Sequence, residues 1–417
     1  MPKKKADTKS NQKNQPSKSE GKRFWNNDME AIIGIMVVLL ILGTINVFSS
    51  SFIIAEADFD TPYFFLKRHV INIVIGMVAF GCCFTFDYHV WRRYIPFVLG
   101  FTIICLILVL LIGPAVNGAK RWLPLGITQF QPAEMAKLVS ILLTSAYLAV
   151  QVQAKRTIDI ITPQMGIIFL MFALTEQEPD MGTACIILGV PIFMLIVVGL
   201  EQRKLLTMIG IVVVGAIGMI LRQPYRIERL KVTFDPWSDA QNMGYQTVQS
   251  LSAIGSGELT GMGLGVGVSK YDYLPEAHTD FAFAIFCQEN GFLGALFVFL
   301  LFAALAVYSA RVANKAKDVY GQILSMGIMI LVVGQAIANL LMVGGMFPVV
   351  GVPLPFISYG GTSLIVTMAA MGILVNIGRQ GEKEIQKKIL AGEKPTPLTE
   401  EFSLESQYPP KSTAKTS

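Results

Sequence analysis

The chain is poor in charged residues and in cysteine. Only 15% of its 417 residues are Asp, Glu, Lys or Arg, whereas 53% are hydrophobic, and the mean hydropathy is +0.54. This composition is rare in soluble proteins and typical of polytopic membrane proteins. The 5 cysteines lie inside or beside apolar segments, without a CxxC pair or a Cys/His ligand spacing. Their placement argues against a disulfide framework or a zinc site.

The two ends of the chain lack apolar sequence. The first 30 residues are polar and lysine-rich, with neither a short apolar core nor a small-residue cleavage site, so 1–30 is predicted to be a disordered basic cytoplasmic tail rather than a signal peptide. Residues 379–417 are predicted to form a second disordered cytoplasmic tail. The net charge of +5 is spread over tails and loops instead of one groove, so no nucleic-acid partner is predicted.

Long apolar runs dominate the rest of the sequence. Because a hydrocarbon core of about 30 Å takes about 20 apolar residues of helix, we predict an all-α polytopic membrane protein with ten transmembrane helices within 31–378. One large loop, 222–280, separates the seventh and eighth helices. The predicted spans are 31–53, 69–86, 95–114, 131–151, 161–175, 181–200, 205–221, 281–310, 320–346 and 360–378.

Basic residues in alternate short loops predict the orientation. Cytoplasmic loops carry an excess of Lys and Arg, and with the N-terminus inside every cytoplasmic loop contains at least two of them. Two of the remaining loops are acidic, although Lys67 and Arg68 border one of them. Both termini are therefore predicted to be cytoplasmic, and 222–280 extracytoplasmic. The basic residues that decide this are Arg92, Arg93, Lys155, Arg156, Arg203, Lys204, Arg311, Lys315 and Lys317.

The large outer loop contains a glycine-rich stretch between Gly255 and Gly267. A phosphate-binding loop would need GxGxxG or GxxxxGK[ST], and neither pattern is satisfied. We favour a close-packed turn in which backbone approaches backbone or a ligand. A short amphipathic helix is predicted just before it, near 244–255.

Four basic residues follow the seventh span: Arg222, Arg226, Arg229 and Lys231. If the segment is helical, spacings of four and three place the three arginines on one face. They could form a collar that contacts lipid headgroups, or a clamp for phosphate or pyrophosphate, for which the planar guanidinium is suited. The sequence leaves both interpretations open.

Charged residues also gather where the fourth span begins. Glu134 and Lys137, at i and i+3, share a helix face, and Lys120 and Arg121 precede them at the same interface. The pair is either a structural salt bridge or part of a site, since ionisable residues in membrane helices usually face a cavity. Asp180 begins the sixth span, where it could serve simply as an N-cap.

The stretch "KYDYLPEAHTDFAFAIF", 270–286, places Asp280 at the start of the eighth span. Taken alone, Asp280 is most simply a helix cap and His278 a packed ring. However, the acidic and basic residues above all map to the outer face, together with "PLPFISYGG" (353–361). That convergence exceeds what capping requires and indicates a functional site.

Six motifs in order resemble those of the SEDS family (shape, elongation, division and sporulation proteins), and the similarity covers about 30–380. They are "NGAKRWLPLG", "QPAEMAKL", "EPDMGTA", "GYQTVQSLSAIGSG", "GMGLGVGVSKYDYLPEAHTDFAFAI" and "PVVGVPLPFISYGGTS". Lys270 with the "YLPEAHTDF" that follows is most similar to the division branch and its sporulation relative. Gln288 stands where the family usually has a carboxylate.

The resemblance implies a peptidoglycan glycosyltransferase that polymerises lipid II at the outer face of the bacterial cytoplasmic membrane. It matches the family's essential acidic residue to Asp280 and its functional pair to Glu134 and Lys137. Implied partners are lipid II and the nascent glycan strand, a class B penicillin-binding protein, other divisome proteins and membrane lipid. The alternative is a lipid II transporter, although transporters usually place charges near the midplane on repeated, broken helices, and no repeat between the halves is found.

Polymerisation by inversion needs one base for the attacking sugar hydroxyl and cations for the pyrophosphate. Asp280 is the predicted general base. A divalent cation, Mg²⁺ or Mn²⁺, could bridge the pyrophosphate, but the sequence supplies no ligand set for it. The predicted substrate-binding residues are Glu134, Lys137, Arg226, Arg229, Arg121, Lys120, Glu276, His278 and Lys270.

Overall fold

The computed structural model describes residues 27–115, 118–124, 129–221, 224–267, 269–270 and 274–392. Within these ranges the chain is almost entirely α-helical. A 3₁₀ helix, Pro236–Asp239, and a two-stranded antiparallel pair, β1 (Leu123–Pro124) and β2 (Gln129–Phe130), complete the secondary structure. The α-helices are α1 (Asp28–Phe59), α2 (Phe64–Thr85), α3 (His89–Ile112), α4 (Pro132–Gln153), α5 (Pro163–Gln177), α6 (Met181–Gly199), α7 (Gln202–Leu221), α8 (Pro224–Phe234), α9 (Tyr245–Ser256), α10 (Ala282–Asn314), α11 (Val319–Val343) and α12 (Gly361–Leu390).

Every predicted span coincides with a helix, namely α1 to α7 and α10 to α12. Among the described helices, 8 are long and apolar enough to cross a membrane. Two predicted spans, α5 and α7, are outside that set. α5 has only 15 residues. The prediction of an all-α polytopic membrane protein is confirmed.

Local sequence explains several helix starts. Pro132 occupies the first turn of α4, where its missing N–H costs no hydrogen bond. Asp180 caps α6 by accepting a hydrogen bond from the Thr183 amide at 3.2 Å, and Asp318 caps α11 by accepting one from the Gly321 amide at 2.8 Å. These caps fix where two spans begin.

The segment between α7 and α10, which the sequence predicts to be the outer loop, is folded rather than a plain loop. It contains α8, the 3₁₀ helix and α9, and α9 confirms the helix predicted near 244–255. The Ser250 hydroxyl of α9 donates to the Val343 carbonyl at 2.8 Å, which ties the segment to the end of α11. Arg222 falls outside the described residues.

The C-terminal helix is longer than its predicted span. α12 continues past 378 to Leu390, so the first part of the predicted tail is helical. The extension is rich in helix-forming Glu, Lys, Gln and Ile, and Glu384 and Lys388 form a favourable i,i+4 pair. The remainder of this predicted tail, from 393, and residues 1–26 of the predicted N-terminal tail lie outside the described residues.

α12 is the most enclosed of the candidate spans, with 83% of its apolar window buried, and it packs along α2. The connection from α11 to α12 also runs into the bundle: Val352, Leu354 and Phe356 are each at most 2% exposed. This buried connection, residues 344–360, brings backbone next to the beginnings of α4, α6 and α10. It forms one wall of the site described below.

Candidate active site

A cavity of about 440 Å³ lies where α2, α4, α6, α10 and α12 begin. It brings together five of the residues predicted from the sequence, and Asp180 lines it as well. The five are Arg121, Glu134, Glu276, His278 and Asp280. Because helix N-termini carry partial positive charge, their convergence around one cavity favours anionic groups there.

Asp280 is half-buried just before α10, and its backbone is fixed from α11. The Asn339 side-chain amide donates to the Asp280 carbonyl at 2.8 Å and to the Val352 carbonyl at 2.7 Å. Gly351 has φ +69, and a Cβ added there would lie 3.3 Å from the Asp280 Oδ2 atom. The buried connection therefore approaches this carboxylate closely where no side chain intervenes.

The electrostatics around Asp280 favour its protonated form. Burial, together with the negative charges of Glu276 and Asp180, raises the pKa of Asp280 to about 7. Arg121 opposes this shift and Glu134 adds to it. A carboxyl group with a pKa near neutrality is suited to general-base chemistry.

Glu134 and Lys137 form a buried ion pair in the first turns of α4, with Nζ and Oε2 2.7 Å apart. Glu134 lines the cavity, whereas Lys137 does not. Lys137 also donates to the Gln335 amide oxygen at 2.9 Å, and Gln335 donates to the Pro353 carbonyl at 2.9 Å. The pair thus links α4, α11 and the buried connection.

Asp180 is both a cap and a wall of the cavity. Besides capping α6, its carboxylate accepts a hydrogen bond from the Gln131 side-chain amide at 2.8 Å. Neighbouring Glu178 has a pKa raised to about 9, because its carboxyl is buried and lies near Asp180. Glu178 is therefore neutral at physiological pH.

Arg121 and Lys120 have different positions. The Arg121 guanidinium donates to the Pro179 carbonyl and, at 3.4 Å, to the Glu178 carbonyl while lining the cavity. Lys120 donates to the Leu110 carbonyl at 3.3 Å and does not line the cavity. Only Arg121 of this pair can face a ligand bound there.

His278 and Glu276 line the cavity just before Asp280 in the chain. The His278 ring is 4.5 Å from the Phe65 ring centroid, and burial lowers the pKa of His278, so the imidazole is neutral. The His278 carbonyl accepts a hydrogen bond from the Tyr359 amide at 2.9 Å. Glu276 is exposed, has φ 54 and accepts a hydrogen bond from the Thr279 hydroxyl at 2.6 Å.

Besides Lys137 and Lys120, three further predicted residues do not line this cavity. Arg226 forms an ion pair with Glu176 at 2.8 Å, joining α8 to α5. Arg229 donates to the Val349 carbonyl at 2.7 Å, at the start of the wall that faces Asp280. Lys270 is buried and paired with Glu289 at 2.9 Å.

The sequence analysis missed two polar residues of α2 that line the cavity, Arg68 and Asn72. Arg68 appeared only as an exception to the charge rule for loops. Its spacing of four from Asn72 puts both on one helix face, and polar groups on a membrane helix usually mark a cavity. That spacing was the available signal.

No group of three or more His, Cys, Asp or Glu in the described part of the chain is arranged to hold a metal ion. In the cavity, Glu134 is committed to Lys137 and Asp180 to the α6 cap.

Known proteins with similar sequences were found over most of the chain. A family model, FTSW_RODA_SPOVE, described as "Cell cycle protein", matches residues 29–383. "Stage V sporulation protein E" of Bacillus subtilis (strain 168) is 36% identical over 354 residues, covering 84% of this chain and 96% of the relative. "Probable peptidoglycan glycosyltransferase FtsW" of Geobacter sp. (strain M18) is 37% identical over 350 residues, covering 83% and 95%.

Solved structures are similar in fold. One, described as "Structural coordination of polymerization and crosslinking by a peptidoglycan synthase complex", matches with a TM-score of 0.68 at 25% identity, covering 84% of this chain and 97% of that one. The rod shape determining protein RodA of Thermus thermophilus matches with a TM-score of 0.61 at 23% identity, covering 86% and 98%. These matches confirm the resemblance inferred from the six motifs: the chain belongs to the FtsW, RodA and SpoVE family of cell cycle proteins.

Proposed function

We propose that this protein is an inverting peptidoglycan glycosyltransferase that polymerises lipid II into β-1,4 glycan strands. The observation that carries the proposal is Asp280, a half-buried carboxylate with a pKa of about 7 in a cavity bordered by Arg68, Arg121 and several helix N-termini. This arrangement supplies a base and an anion-binding environment in one place. The name of the FtsW relative from Geobacter supports the same activity.

In this reaction the 4-hydroxyl of an incoming lipid II attacks the anomeric carbon of the growing strand. Asp280 accepts the hydroxyl proton, the new β-1,4 bond forms, and the bond from the anomeric carbon to the pyrophosphate oxygen breaks. Undecaprenyl pyrophosphate leaves with the bonding electrons. A positioned base contributes about 10²–10⁴-fold to such a step.

The leaving pyrophosphate needs positive charge rather than a second acid. Arg121 and Arg68 line the cavity and can provide it, together with the N-termini of α4, α6 and α12. Glu134 borders the substrate and is held by Lys137. Arg226, Arg229, Lys120, Glu276 and His278 remain predicted binding residues, acting from the edges of the cavity or through the elements they hold.

The lipid tails explain why the site lies at the membrane interface. An apolar cavity of about 390 Å³ between α2, α3, α4 and α12 adjoins the polar cavity and shares Gln129 and Thr362 with it. A polyprenyl chain in the apolar space would leave its headgroup in the polar one. A flippase, the alternative, would need a polar path through the membrane.

We place this activity in the cytoplasmic membrane, with both termini inside and the cavity outside. The expected partners are a class B penicillin-binding protein, other divisome proteins and membrane lipid, and the expected role is septum synthesis. Similarity to a structure of a peptidoglycan synthase complex supports a partnered enzyme. The 36% identity with a sporulation protein makes spore formation the alternative role.

The test gives labelled lipid II to purified protein, with and without its cognate transpeptidase. We expect glycan ladders from the wild type and from Asp58→Asn, an exposed acid of the same predicted face, but none from Asp280→Asn with lipid II binding retained. Ladders from Asp280→Asn would remove Asp280 as the base and make Glu134 the next candidate. No ladder from any variant, combined with lipid II transport across vesicles, would favour the flippase.

A further inference from the structure

α10 is broken near its beginning, at Gly291, where φ is 65 and ψ is −167. In an unbroken helix the Phe292 and Leu293 amides would donate to the Gln288 and Glu289 carbonyls. Here all four groups have other partners, and every one lies in residues 257–267, which we name the strap. Buried backbone groups without partners are costly in a membrane protein, so the strap completes the broken helix.

The exchange of partners is one for one. The Phe292 amide donates to the Glu258 carbonyl at 2.9 Å and the Leu293 amide to the Leu259 carbonyl at 3.1 Å. In return the Met262 amide donates to the Gln288 carbonyl at 3.0 Å, and the Gly263 amide to the Glu289 carbonyl at 3.1 Å. The strap and the break therefore form a single hydrogen-bonded unit.

Glycine is required at the closest approach. A Cβ added at Gly291 would lie 2.3 Å from the Gly261 nitrogen. A Cβ added at Gly261, where φ is +84, would lie 2.1 Å from the Glu289 carbonyl oxygen. This confirms the close-packed turn predicted from the glycine-rich sequence.

A buried ion pair fastens the strap to the broken helix. Lys270, just after the strap, lies 2.9 Å from Glu289, and their side chains are 0% and 1% exposed. The same Glu289 oxygen accepts hydrogen bonds from the Ser49 hydroxyl at 2.5 Å and the Gly265 amide at 3.1 Å. Removing either charge would leave the other buried and unpaired, which strongly favours movement of the segment.

This ion pair and Asp280 lie at opposite ends of one short rod. Residues 281–289 are all buried, Asp280 directly precedes them, and Glu289 ends them. The Asn46 amide also donates to the Ala282 carbonyl at 3.0 Å, which holds the rod against α1. A shift at Glu289 therefore displaces the carboxylate at the other end.

We propose that Lys270 and Glu289 are positioning residues for Asp280: their ion pair and the strap hold the rod, and so the base, in place. The inference rests on the proposed function and reassigns Lys270 from substrate contact to support of the site. A displacement of about 1 Å can cost about 10²-fold in rate. The pair should thus affect turnover more than substrate affinity.

The main test measures kcat and KM per folded molecule for Lys270→Met, Glu289→Gln and the double variant. Each single variant should lower kcat by up to about 10²-fold with KM nearly unchanged, and the double variant should recover much of the loss because no unpaired charge remains. Lys204→Met, which breaks the more exposed pair with Asp159, is the control and should match the wild type. A raised KM with unchanged kcat would mean that Lys270 contacts substrate. A lower melting temperature with unchanged kcat per folded molecule would mean a purely structural role. Either result overturns the proposal.

A glycine pair tests the strap without altering charge. Gly261→Ala and Gly265→Ala impose similar backbone strain, since φ is +84 and +82, but only Gly261 has atoms within 4 Å of an added Cβ. Gly261→Ala should lose much more of its kcat. Equal losses would argue that the strap does not position the rod.

Two measurements need no substrate, so they separate this inference from the proposed function. Hydrogen exchange of the 262, 263, 292 and 293 amides should accelerate in Lys270→Met and Glu289→Gln. The extent to which a carbodiimide labels the Asp280 carboxyl, measured by mass spectrometry, should differ from the wild type in the same two variants. It should return toward the wild-type extent in the double variant. If the wild type fails to polymerise lipid II, these two results still decide whether the pair positions Asp280. Unchanged exchange and labelling would reject it.

Discussion

The carboxyl group of Asp280 experiences opposing charges of the groups that face it. Glu276, Asp180 and Glu134 raise its pKa, Arg121 lowers it, and burial contributes most, with a resulting value of about 7. Substituting any of these charged neighbours should therefore change the pKa of the proposed base. The direction of each effect follows from the sign of the charge.

The pH dependence of polymerisation should reveal this balance. Because the base must be deprotonated, kcat/KM should rise with pH to a plateau, with a midpoint near 7. Glu276→Gln removes a negative charge, so the Asp280 pKa should fall and the midpoint move to lower pH. The measurement is the rate of glycan formation between about pH 5 and 9, with Asp58→Asn as the control that leaves the midpoint in place. A midpoint that moves upward, or does not move, in Glu276→Gln would contradict this electrostatic account.

Single residues differ in how far the sequence could predict their positions. Asp280, Glu134 and Arg121 were predicted for the site because each adjoins a span at the outer face. Lys270 was assigned to substrate binding as part of the outer-face stretch 270–286, whereas the structure pairs it with Glu289, which lies within the next helix. Sequence spacing carries no information about such a contact.

The unusual amide at Gln288 has a structural explanation. Its side-chain nitrogen donates to the Ser256 hydroxyl at 2.8 Å and the Ser269 hydroxyl at 3.0 Å, while its oxygen accepts from the Ser269 amide at 3.3 Å. An ionised carboxylate has no proton to donate to either hydroxyl. Gln288 therefore links Ser256 and Ser269, which flank the strap.

At the scale of elements, three separate parts of the fold meet at one ion pair. Glu134 and Lys137 belong to α4, Gln335 to α11 and Pro353 to the buried connection. Both charges are buried, at 3% and 2% exposure, so each depends on the other for its electrostatic compensation. The ion pair therefore connects these elements to one another, in addition to placing Glu134 in the cavity lining.

Neutralising one residue of this ion pair should lower the free energy of unfolding more than neutralising both. Lys137→Met or Glu134→Gln alone should lower the free energy of unfolding by about 3–5 kcal/mol, because a buried charge loses its partner. The double variant should be more stable than either single one. Thermal unfolding of the purified protein in detergent measures this, with Lys204→Met as a surface-pair control. Simple addition of the two single effects in the double variant would show that the charges are not coupled.

Apolar length and loop charge were sufficient to predict the spans but not the breaks within them. The ten predicted segments correspond to α1 to α7 and α10 to α12 because hydrophobic runs of that length have few other stable arrangements. The break in α10 and the helical form of α8 depend on partners distant in sequence. At Gly291 the sequence has a glycine after three polar residues, Gln288 to Asn290, and that local pattern does not by itself specify a break.

At the scale of the whole molecule, the two ends of the helices carry different sets of polar contacts. The beginnings of α4, α6, α10 and α12 surround the cavity. The opposite ends carry another set of contacts, including Asp28 of α1 with Lys315 and Arg311 near the end of α10. The orientation predicted from loop charge stays a prediction.

Site-directed labelling should establish that orientation. A membrane-impermeant maleimide applied to intact spheroplasts should label Ser238→Cys, in the exposed 3₁₀ helix of the outer segment. It should not label Lys317→Cys or Arg156→Cys until the membrane is permeabilised. The unsubstituted chain provides the background from its native cysteines. Labelling of Lys317→Cys in intact cells would invert the topology and place the cavity inside.

α12 is long enough to project from the membrane on the side opposite the cavity. Its 30 residues span about 45 Å at about 1.5 Å per residue, whereas the hydrocarbon core is about 30 Å thick. Since the helix begins at the cavity, nearly all of the surplus, about 15 Å, projects from the other face. The C-terminal end of α12 therefore lies beyond the hydrocarbon core. A protein that binds the last turn of α12, at Leu390, would therefore meet it outside the hydrocarbon core.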